Sequence, residues 1–69
     1  MMFDGEEVKV GHKKQLFTNK KLIGTATITA INEKTEELTL ETEMKSGETF
    51  IIVLHAPSMR IISKDLKKR

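Results

Sequence analysis

The chain is expected to be all-β, a small antiparallel barrel of five or six strands. Apolar residues recur at every second position in two stretches, residues 25–30 and 38–44, and short segments rich in Asn, Gly, Ser and Pro separate the apolar runs. The length of 69 residues supports one domain, spanning 1–69 with a short N-terminal segment and a basic C-terminal tail. A chain so short buries only about 60% of the surface it exposes when unfolded. It contains no Cys, so neither disulfides nor a thiolate metal site can supplement the core. A non-thiolate metal, a cofactor or association with other chains remains for that role.

Each element has its own signal. Val8, Lys9 and Val10 alternate, Gly11 offers a bulge, and Leu16, Phe17 and Thr18 continue that strand or start another before a turn at Thr18-Asn19-Lys20-Lys21. Thr25, Thr27 and Thr29 then alternate with Ala26, Ile28 and Ala30, and the Asn-Glu-Lys-Thr-Glu stretch of residues 32–36 supplies turn chemistry for a hairpin. In the next strand Leu38, Leu40 and Met44 share one face, with acids and hydroxyls on the other. Lys45-Ser46-Gly47-Glu48 forms a second turn, in which Gly47 can take a positive φ. Residues 49–54 are apolar on both faces, Pro57 with Ser58 breaks the run, and Met59-Arg60-Ile61-Ile62 reads as a last short strand. Beyond it, Ser63 can cap a helical turn in which Leu66 follows Ile62 by four, and the basic tail is equally compatible with fraying. Strands of this number and length close most economically into a barrel of the SH3, Sm or OB kind. Its core is expected from Leu22, Ala26, Ile28, Leu38, Leu40, Phe50, Ile52, Leu54 and Ile61.

One strand asks for a covering. If Phe50, Ile52 and Leu54 face the core, then Ile51, Val53 and His55 face outward. Each aliphatic side chain left in water forgoes about 1.5–3 kcal/mol of burial. Either the N-terminal Met1, Met2 and Phe3 fold back over Ile51 and Val53, or these two side chains form an interface with a neighbouring subunit or protein partner.

Charge is segregated along the chain. The net +2 conceals blocks of −3 over residues 1–8, +5 over 9–21, −4 over 32–48 and +4 over 60–69. Such blocks are solvated faces or surfaces that steer a polyanion or a second copy. Enzymatic chemistry has little material: His12 and His55 are isolated, Asp4 and Asp65 lie near the termini, and there is no thiol. No His or acid pair has metal-ligand spacing, and the four glycines form no phosphate-binding loop, so neither a metal nor a cofactor is expected. The longest apolar run, residues 50–54, is far short of the roughly 20 residues of a membrane span, and no leader pattern precedes it. The expectation is a cytoplasmic protein that is not an enzyme.

Residues 16–28, Leu-Phe-Thr-Asn-Lys-Lys-Leu-Ile-Gly-Thr-Ala-Thr-Ile, resemble the first half of an Sm-type motif, in which a strand and turn lead through Lys-Leu-x-Gly into a long bent strand. Lys21, Leu22 and Gly24 carry that likeness, and the segment Leu54-His55-Ala56-Pro57-Ser58 is similar to the Lys-His-Ala-x-Ser segment of Hfq-type members. The resemblance implies a five-stranded barrel, a ring joined edge to edge through its fourth and fifth strands, and single-stranded RNA as ligand. Of the family's base-binding residues only His55 is carried over. Leu54 stands where the family has Lys, and no aromatic lies between Ala30 and Thr35. Residues 24–40 also look like KOW-type and PRC-type barrels.

Two functions follow as expectations. The first is a nucleic-acid-binding module, preferring single strands, in which Lys13, Lys14, Lys20, Lys21, Lys64, Lys67, Lys68 and Arg69 contact phosphates and His55 contacts a base. The second is a protein-interaction or assembly module, of accessory or phage type, docking through Ile51, Val53 and an exposed strand.

Overall fold

A computed structural model describes residues 1–3 and 5–67. They form β1 (Met2–Phe3), β2 (Glu6–Glu7), β3 (Lys13–Thr18), β4 (Lys21–Asn32), β5 (Glu37–Met44), β6 (Thr49–His55) and β7 (Arg60–Leu66). The chain is all-β: β1 pairs with β2, and β3 to β7 form one antiparallel meander in chain order. Among the described residues no strand joins β3 to β7, so the sheet keeps two edges. No described helix is long and apolar enough to cross a membrane.

The turns follow from their residues. Asn19 and Lys20 both have positive φ, 50° and 66°, between the paired Thr18 and Lys21. That is a two-residue type I′ connection, whose twist matches the flanking strands. In the β4–β5 loop, Asn32 Oδ1 accepts hydrogen bonds from the backbone N–H of Lys34 (3.1 Å) and Thr35 (3.3 Å). Gly47, at φ 96°, closes the β5–β6 turn by donating its N–H to the Met44 carbonyl at 2.9 Å. β4 carries irregularities opposite Leu16/Phe17 and near Thr29. The second moves Ala30 opposite Thr39 and returns Ile31 to the face of Leu38.

One face of the sheet holds the core. Cross-strand register places Ala26, Thr42 and Phe50 in one row, Ile28, Leu40 and Ile52 in the next, and Ile31, Leu38 and Leu54 in a third. Val8, Ile28, Leu38, Leu40, Leu54 and Ala56 form the buried cluster, against which Met1, Phe3, Ile31 and Ile52 pack. The N-terminal residues therefore cover the core face over β4 and β5. They do not fold over Ile51 and Val53, which pair with Glu41 and Thr39 on the opposite face and are half-buried. Gly11 donates to the Ile28 carbonyl (2.7 Å) and Ile28 donates to the His12 carbonyl (2.9 Å), extending the β3–β4 ladder and holding the segment at the β4 edge; from there Met1, Phe3 and Val8 pack on the core face with Ile28, Leu38 and Leu40.

Two further expectations are corrected. Residues 63–66 continue β7 and form no helical turn, because β6 offers a partner along its whole length: Phe50 pairs with Leu66 and Ile51 with Asp65. Ile61 lies opposite Leu54 on the core face yet is 56% exposed, since the N-terminal cover stops short of β7.

Candidate functional site

The lysine-bearing β3–β4 turn stands at one end of the sheet. Lys20 and Lys21 are exposed there, and Lys45 joins them because its backbone N–H donates to the Ile23 carbonyl at 2.8 Å. Phe17, opposite Leu22 and 58% exposed, adds an aromatic surface beside this turn. Lys45 does not stand out in the sequence, whereas Phe17 is, with Phe3 and Phe50, one of the three aromatics that could stack on a base. Phe17 reads as a strand hydrophobe, and only the register of β3 shows that it faces away from the core; Lys45 is brought in by a contact across two strands.

The other expected cations are dispersed. Lys13 lies on the face away from the core, opposite Thr27, whereas Lys14 lies on the core face opposite Ala26, with its ammonium 5.8 Å from the Phe3 ring centre. Lys64 sits 4.6 Å above the Phe50 ring, a cation–π contact. Lys67 donates to Glu41 Oε1 at 2.8 Å, so its charge is directed at the acidic third strand of the sheet. Lys68 and Arg69 lie outside the described residues.

His55 belongs to the opposite end. It pairs with Glu37, which in turn pairs with Asn32, the last residue of β4, whereas Lys21 is the first. His55 Nδ1 is 2.7 Å from Ser58 Oγ, and Ser58 Oγ also accepts the Arg60 N–H at 3.3 Å. This corner opens toward Ile61 and Ile62. That end of the sheet is the acidic one. The Met1 amino group donates to Glu7 at 3.0 Å, and its pKa is raised by that hydrogen bond and the Glu7 charge, with Glu33 and Glu36 adding to the effect. The sheet thus separates Lys20 and Lys21 from His55 by the length of β4.

A third feature lies on β7. Met59, Ile61, Ile62 and Leu66 are exposed large apolar residues on or next to one strand. That strand has β6 on one side and no described neighbour on the other. The half-buried Phe50 and Ile52 extend the apolar surface onto β6. Among the described residues no group of three or more His, Asp or Glu is placed to hold a metal ion. No family model, curated protein or solved structure matches the chain.

Proposed function

We propose that the chain is an assembly or protein-interaction module that docks through β7 and the apolar strip beside it. The observation that carries this reading is the exposure of Ile61, Ile62 and Leu66, at 56%, 51% and 52%, on a strand with an open edge. Covering them with a partner recovers hydrophobic free energy of the order of 1 kcal/mol or more per side chain, and pairing the edge satisfies its backbone groups. Ile51 and Val53, on the other face of the same two-stranded end, enlarge the surface that such a partner meets. On this reading the chain is not an enzyme, and the barrel expected from its sequence is completed by association, with a foreign strand beside β7. A photo-crosslinking residue at Leu66 is expected to give discrete covalent products in cells, and one at Glu33 none. Absence of products at Leu66 overturns the reading.

Single-stranded nucleic acid is the second reading, favoured by Phe17 beside Lys20, Lys21 and Lys45. Base stacking on the one aromatic and phosphate contact by the three lysines give a weak, salt-sensitive site. The Sm-like likeness of residues 16–28 belongs to this reading. Here His55 is too far along β4 to share a base with the lysine turn and serves a separate nucleotide.

A further inference from the structure

We infer that the partner on β7 is a second copy of the chain, joined by a two-fold axis in a register that sets Arg60 against Asp65. This rests on the docking reading above and names its occupant. The two sheet edges differ in what they can meet. β3 carries Lys13 and Lys14 and leads to Lys20 and Lys21, so β3 against β3 opposes like charges. β3 against β7 sets those lysines near Arg60 and Lys64, with only Asp65 to offset them. β7 against β7, antiparallel, is the combination whose charges are self-complementary.

The bulge at Ile62 fixes the register. Val53 pairs with Ser63 but Leu54 pairs with Ile61, so Ile62 is the extra residue. Arg60, Ser63 and Asp65 consequently share the face away from the core, and Ile61, Lys64 and Leu66 share the core face. In a regular strand, residues five apart lie on opposite faces. Here the bulge puts Arg60 and Asp65 on the same one, which is what direct opposition across a two-fold requires. The same register sets Ile61 against the aliphatic stem of Lys64, a pair that occurs twice, and brings Leu66 level with the β6–β7 turn that carries Met59. Shifting by one residue either way opposes Arg60 to Lys64 or Leu66, residues of the other face. Backbone polarity agrees. Lys67 donates to the Thr49 carbonyl at 2.8 Å, so alternate residues Asp65 and Ser63 turn their N–H groups toward β6, and Lys64 and Leu66 turn theirs to the open side.

The absence of Cys permits a clean test. Across the two-fold, the two Ser63 positions are diagonal neighbours on one face, within the roughly 4.4–6.8 Å between α-carbons that a disulfide spans. Purified Ser63→Cys at micromolar concentration is expected to form a covalent dimer under mild oxidation, and Lys13→Cys and Asp65→Cys are expected to remain single chains. Arg60→Glu should weaken dimerisation about tenfold in sedimentation, and Arg60→Glu with Asp65→Arg should restore it. Within one chain these residues are about 15 Å apart, so the rescue must come from between chains. Circular dichroism shows whether each variant is folded. A monomeric parent chain, a ring of more than two chains, or failure of the double variant to recover while folded overturns the inference. Crosslinks from Leu66 to a different protein do so too, and leave the docking reading standing; no crosslinks at all remove both.

Discussion

Gly24 shows how tightly single residues are specified. A Cβ at this position would lie 2.6 Å from the Glu43 carbonyl oxygen and 3.1 Å from the Met44 sulfur, the residues of β5 that face Gly24 across the ladder. Gly24→Ala is expected to destabilise the fold by about 2 kcal/mol, read as a lower urea midpoint at unchanged slope. Thr42 is the opposite case. It is buried at 3% exposure on the core face, and its hydroxyl has no hydrogen-bond partner among the described residues. An unpartnered buried hydroxyl costs about 1–3 kcal/mol. Thr42→Val should therefore raise stability by about 1 kcal/mol, and a loss of similar size would show that the hydroxyl is bonded in solution. The Met1 amino group has a pH signature. Its pKa is raised in the folded chain by the hydrogen bond to Glu7 and then by the Glu7 charge. This stabilisation is complete below the ordinary value of about 8 and is lost as pH rises through the folded one. The stability difference between the chain and Glu7→Gln should narrow in urea titrations above pH 8.

At the scale of elements, the β3–β4 connection uses a type I′ turn with Lys20 in the left-handed region, φ 66°, where glycine is strongly preferred. Lys20→Gly should stabilise the hairpin by about 0.5–1 kcal/mol by thermal unfolding. The residue kept there is a charged one at a conformational cost, which is consistent with a surface role for the lysine. Fluorescence anisotropy with a labelled single-stranded oligonucleotide tests that role. Three phosphate contacts by Lys20, Lys21 and Lys45 imply a log-log salt slope of about −2. Lys20→Gln with Lys21→Gln should remove about two contacts' worth of that slope, and Phe17→Ala should lower affinity at every salt concentration. Binding unaffected by these changes would remove the nucleic-acid reading at this turn.

For the whole molecule the decisive fact is an incomplete cover. The N-terminal segment closes the core face over β4 and β5, and the β6–β7 end keeps an apolar face and an edge that no described strand pairs. So small a core leaves a narrow margin of stability, of the order of 5 kcal/mol. Association should then raise the unfolding temperature with protein concentration. Differential scanning of the parent chain over a hundredfold concentration range should show that dependence, and Ile61→Glu with Leu66→Glu should abolish it while leaving a folded strand pattern.

The residues themselves determined the strands, their turns and most of the core. Period-two alternation at residues 25–28 and 38–44 forces one face inward, and Asn19, Asn32, Gly47 and Pro57 permit the reversals between strands. His55, Lys20 and Lys21 were legible as candidates by type, but their separation was not, because it depends on register across three strands. The buried Thr42, the exposed Phe17 and the strand through Leu66 were decided by tertiary pairing: each depends on which neighbour lies opposite, and a polar or basic residue joins a strand whenever its backbone finds a partner. The direction taken by the N-terminal segment was decided in the same way. Hydrophobicity alone allows Met1 and Phe3 to cover either face; the bonds between residues 11–12 and Ile28 hold the segment beside β4, and packing of Val8, Met1 and Phe3 with Ile28, Leu38 and Leu40 puts it on the core side.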